Sequence, residues 1–73
     1  MSLTDKVKVE LEKADIYVIL DVLEYKRDLY LNAVEYFVGG YVEGDIAEAK
    51  DEEEAQAIAD DFQEIMDKLR KVL

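Results

Sequence analysis

The sequence predicts a mainly α-helical fold with one short N-terminal β-strand, held together as a homodimer. Three observations carry this. Residues 6–11 alternate apolar and polar side chains. Apolar residues recur at helical spacing over most of the rest of the chain. The chain is also short and lacks the usual staples of small domains. It has 73 residues, 51% of them apolar, with no cysteine and no histidine. A chain of this length buries a small share of its surface alone. Without disulfides or a zinc site, association is the remaining way to bury its apolar half.

The first element is the strand, residues 6–11, Lys-Val-Lys-Val-Glu-Leu. On a strand Val7, Val9 and Leu11 point one way and Lys6, Lys8 and Glu10 the other. On a helix Val9 would lie nearly opposite the other two. A lone strand leaves its backbone hydrogen bonds unmet. No second strand is evident in the chain, so the expected partner is the same strand of another copy. The alternative is that these residues open one long helix over residues 5–38. The chain would then be a helical hairpin that dimerises into a four-helix bundle.

A first helix is expected at 14–25. Ile16, Ile19, Leu20 and Leu23 share a face, Asp21 and Glu24 lie across from it, and Asp15 is placed to cap its start. The charged triplet Lys26, Arg27 and Asp28 reads as a break. A second helix follows at 28–38, with Leu29, Tyr30, Ala33, Val34 and Phe37 on its apolar face and Gly39-Gly40 at its end. Residues 1–42 thus form one module, and residues 43–73 hold a connector and a C-terminal helix. Gly44 marks a turn in the connector. The last helix, about 51–72, is the clearest. Asp51 suits its cap, Glu52, Glu53 and Glu54 its first turn, and Lys68, Arg70 and Lys71 its last. Ala55, Ile58, Ala59, Phe62, Ile65, Met66, Leu69 and Val72 form an unbroken apolar stripe.

The order strand, helix, break, helix over residues 4–38 resembles the MetJ/Arc ribbon-helix-helix superfamily of dimeric DNA-binding proteins. The matching features are Val7-Lys8-Val9-Glu10-Leu11, the helix of Ile16 to Tyr25, the break Lys26-Arg27-Asp28, and a last helix with Ala33 in its middle. The resemblance implies an intermolecular, two-stranded antiparallel ribbon that enters the DNA major groove. It implies base reading by Lys6, Lys8 and Glu10, with Thr4 beside them. It implies a phosphate held at the N-terminus of the second helix, near Lys26, Arg27 and Asp28. The dimer core would be Val7, Val9, Leu11, Leu20, Leu23, Ala33 and Phe37. Two features depart from the pattern. The ribbon lacks the Arg, Asn or Gln of bidentate base contacts. Asp28 also sets a carboxylate where a phosphate would dock. Lys6 and Lys8 have a second reading, as solvated residues that discourage edge-to-edge aggregation.

The function expected is that of a small DNA-binding transcription regulator. The alternative is an acidic, antitoxin-like protein-interaction module or adaptor, in which the C-terminal helix binds a protein partner. That helix has a blander reading too, packing back on the dimer to enlarge its core. The net charge of −10 favours the interaction module, since nucleic-acid binders usually carry a basic footprint. The charge is uneven: residues 1–40 carry −3 and residues 41–73 carry −7.

An enzyme is not expected. No Ser-His-Asp set, Cys-His pair or phosphate-cradling glycine loop occurs. The acidic cluster Asp51, Glu52, Glu53, Glu54, Asp60 and Asp61 reads as a solvated helix start. Glu12 and Asp15 form a Glu-x-x-Asp pair with no matching second motif. No cofactor and no metal are expected. The longest apolar run, residues 16–20, is far below the roughly 20 residues a membrane span needs. With no basic and apolar leader at the N-terminus, a cytoplasmic location is expected. The five tyrosines fall mostly on apolar faces and read as core or interface residues.

Overall fold

A computed structural model describes residues 2–73. It contains two helices, α1 (Lys13–Gly39) and α2 (Glu52–Arg70). They pack antiparallel as a hairpin, with Ile16 near the end of α2 at Leu69 and Tyr30 beside Phe62.

The expected strand and ribbon are not present: the described residues contain helices and no β-strand. Residues 6–11 have no regular secondary structure, although Val7, Val9 and Leu11 line one groove with Ile16, Leu69 and Val72. What is missing is the ladder. Residues 6–11 make no backbone–backbone hydrogen bond among the described residues. A strand is defined by that pairing. Val7 and Val9 remain 73% and 68% exposed.

The two helices expected at 14–25 and 28–38 are one helix. Lys26, Arg27 and Asp28 are good or tolerable helix formers, with no glycine or proline among them to interrupt the backbone. Arg27 also has a tertiary reason to stay helical. Its Nη1 donates to Oε1 of Gln63 on α2 at 2.6 Å, and its Nε and Nη2 donate to Asp28 Oδ1 at 3.1 and 2.9 Å. Gln63 in turn donates to Asp67 at 2.9 Å. The long hairpin alternative was the nearer one, but the helix starts at Lys13 and not at residue 5.

Both helix starts follow the local sequence. Glu12 takes the cap position of α1, and its N–H donates to the Asp15 carboxylate at 3.0 Å, so Asp15 acts from the third helical position. Asp51 caps α2 by accepting from the Glu54 N–H at 2.8 Å. At the far end of α1, Gly40 adopts φ +77° and its N–H closes on the Tyr36 carbonyl at 2.7 Å. That left-handed conformation suits glycine.

The core is small. Ile16, Leu20 and Met66 are buried together, with Leu23 and Leu69 packed against them. Ala33, Ala55 and Ala59 are buried toward the connector end. There Tyr30 stacks on Phe62 with ring centroids 5.9 Å apart. The stripe of α2 is therefore largely spent on α1. It packs back on the protomer, the blander of its two expected roles, and Ala55, Ala59 and Met66 are not available to a partner. The connector folds back along α1. The Ala47 N–H donates to the Leu29 carbonyl at 3.2 Å, and Asn32 Nδ2 donates to the Asp45 carbonyl at 3.0 Å.

Candidate functional site

A 27-residue helix packed on one neighbour has more surface than that neighbour can cover. The inward stripe of α1 runs through Ile16, Leu20, Leu23, Arg27, Tyr30, Val34 and Phe37, in alternating steps of four and three residues. A second stripe runs through Val18, Val22, Tyr25, Leu29, Asn32 and Tyr36 with the same steps. At 3.6 residues per turn the two stripes lie on nearly opposite sides of the helix. The second faces away from α2. Val18, Val22 and Tyr25 are 63%, 55% and 59% exposed. Leu29 and Asn32 are half-buried, because the connector lies against α1 there.

The exposed stripe has unlike edges. One is acidic at seven-residue intervals, with Asp21, Asp28 and Glu35. The other carries Ile19 and Lys26, and one turn of the pattern further on Ala33, which is buried in the protomer. Asp28 is paired with Arg27 at 2.9 Å, whereas neither Asp21 nor Lys26 forms a salt bridge among the described residues. Charge is also divided between the helices: α1 carries three basic and five acidic residues, α2 two and seven.

Two smaller apolar areas lie at the ends of the hairpin. At the connector end Tyr36 and Phe37 meet edge to face, 5.8 Å apart, and line a groove with Ile46, Ala47 and Ala49. At the other end lies the groove of Val7, Val9 and Leu11.

The expected site residues are dispersed by this fold. Lys6, Lys8 and Glu10 are exposed on the segment before α1. Thr4 belongs to an N-terminal turn, its N–H donating to Ser2 Oγ at 3.2 Å and its hydroxyl sharing a 2.8 Å bond with that same atom. Lys26, Arg27 and Asp28 lie inside α1, so no helix N-terminus exists there to hold a phosphate. Of the expected dimer core, Leu20, Leu23 and Ala33 are buried or packed within the protomer, while Val7, Val9, Leu11 and Phe37 are exposed. No group of three acidic side chains among the described residues is placed to hold a metal ion. No helix is long and apolar enough to cross a membrane.

The outward stripe was the feature that sequence reasoning missed. Its signal is present in the spacing, but a break at Lys26-Arg27-Asp28 cuts it into fragments too short to notice. Comparison with family models, curated proteins and solved structures returns no match.

Proposed function

We propose that the chain is a protein-interaction module that works by recognition and not by catalysis, and that the outward stripe of α1 is its recognition surface. The observation that carries this is the exposure of Val18, Val22 and Tyr25 in one continuous row on a rigid helix. A contiguous apolar row with charged edges is the ordinary form of a helix that docks on another helix or in a groove. Tyr25 supplies the aromatic area in which protein contacts are enriched. This reading keeps the expected interaction module and moves its surface from the C-terminal helix to α1. A cysteine-free small chain suits a reducing compartment, which supports a cytoplasmic setting.

The experiment compares the wild-type chain with Val22→Asp in association assays and native co-purification. The expected result is that the protein contacts made by the wild type are lost in the variant, while its helix content is kept. Equal behaviour of the two chains in every assay would overturn the reading.

Double-stranded DNA remains a second reading with Lys6 and Lys8 in its favour, two exposed cations two residues apart on the N-terminal segment. Its test is a titration across salt concentrations. A complex built on phosphate contacts weakens steeply as salt rises, and Lys8→Ala would weaken it further. No retention at low salt would dispose of it.

A further inference from the structure

Resting on the proposed role of the α1 surface, we infer that its occupant is a second copy of this chain, with the two α1 helices side by side and parallel. The seam is Val18, Val22, Tyr25 and Leu29, ending where the connector crosses α1.

Three observations point to a second copy. First, the spacing of the stripe is that of a left-handed helix pair, in which each side chain enters a gap between four on the facing helix. Second, the edges answer each other. A two-fold contact sets an edge residue against a different residue of the copy, and the reverse pair recurs by symmetry, while seam residues beside the axis meet their own copies. In a parallel pair the edge residue just before a stripe position faces the opposite edge of the copy five residues further on. Asp21 then faces Lys26 of the other copy, twice per dimer. Asp28 is already held by Arg27 within its own protomer and needs no partner across the seam. In an antiparallel pair the edge with Asp21, Asp28 and Glu35 would face itself, acid against acid. The charge placement therefore selects the parallel arrangement. Third, self-repulsion is low at this surface. Most of the −10 charge lies on α2 and on the connector, which meets the stripe only at its Leu29 and Asn32 end, and α1 itself carries only −2. A surface shaped for a strongly basic foreign protein would have no use for an unpaired Lys26 on its rim.

The small core gives association an energetic role. Six of the described residues are buried in the protomer, and the row of exposed apolar side chains on α1 would otherwise remain in water. Covering Val18, Val22 and Tyr25 in both copies stabilises the fold as well as the contact.

The test is sedimentation equilibrium on the full chain, with variants. The wild type should be a dimer, and Val22→Asp should shift it to monomer. Because Val22→Asp alone could act through misfolding, the decisive variants are on the exposed edges. Asp21→Lys and Lys26→Glu should each weaken dimerisation by roughly tenfold, since each removes two symmetric pairs and sets like charges together. The double variant Asp21→Lys/Lys26→Glu should return to within about twofold of the wild type. Orientation is read from disulfides, since the chain has no cysteine of its own. In the parallel seam Val18→Cys and Tyr25→Cys both lie opposite their own copies and both cross-link. These sites are about 10 Å apart along the helix, so no antiparallel pair brings both within the roughly 7 Å that a disulfide spans. A dimer in which only one or neither cross-links, or in which the double variant stays weak, overturns the parallel seam. A wild-type monomer at every concentration overturns self-association altogether. That outcome leaves the broader interaction role standing if a different protein still distinguishes wild type from Val22→Asp.

Discussion

The inward and outward faces of α1 are written in the same pattern and meet different fates. Both place side chains at alternating steps of four and three residues. The inward one finds α2, which the same chain delivers, and its Ile16 and Leu20 are 7% and 6% exposed. The outward one meets only the connector, at Leu29 and Asn32, and Val18 is left 63% exposed. The comparison teaches that spacing states what a helix face can pack against, and that only the placement of the neighbour states whether the partner is internal. Even the polar residues follow this division. Arg27, on the inward stripe, is tied to Gln63, while Lys26, one residue before it, has no salt bridge among the described residues.

Several substitutions test that contrast. Met66→Ala strikes the most buried large side chain of the inward face and should lower stability by about 3 kcal/mol, read by chemical denaturation. A loss well under half of that would mean the seam between α1 and α2 is loose. Arg27→Ala should cost about 1–2 kcal/mol, because it removes the bond to Gln63 and the packing of a mostly buried stem. Asp51→Ala should cost about 1 kcal/mol and fray the start of α2, visible as faster amide exchange at Glu54. On the outward face Val22→Asp should change the protomer's own unfolding by no more than about 0.5 kcal/mol. Its effect belongs to association: the melting temperature of the wild type should climb with protein concentration and that of the variant should not. Lys8→Ala should be the mildest, leaving both stability and its concentration dependence where they were.

Much of the fold was legible. The C-terminal helix was read from Asp51, the acidic first turn and the apolar stripe, and it differs from expectation only in ending at Arg70 instead of about residue 72. Gly39-Gly40 marked the end of α1, and Gly40 takes the left-handed conformation there. The strand was not legible as such. The alternation at residues 6–11 does gather Val7, Val9 and Leu11 on one groove. A strand, however, needs a second backbone, and that is a non-local fact. The break at Lys26-Arg27-Asp28 failed for a related reason. Charged residues suit turns and helices alike, and the contact that favours helix, Arg27 to Gln63, lies 36 residues away in sequence. Splitting α1 at that point also hid the candidate site. Val22 and Leu29 are one heptad apart only if the helix is continuous between them.

By itself the sequence determined the local chemistry: where α1 begins and ends and where α2 begins, to within a residue, and that about half of the residues are apolar. These follow from caps, glycine and periodicity, which act over a few residues. The tertiary structure decided that α1 is one helix with two apolar faces and that α2 covers just one of them. That decision depends on which distant segments meet, and no local preference encodes it.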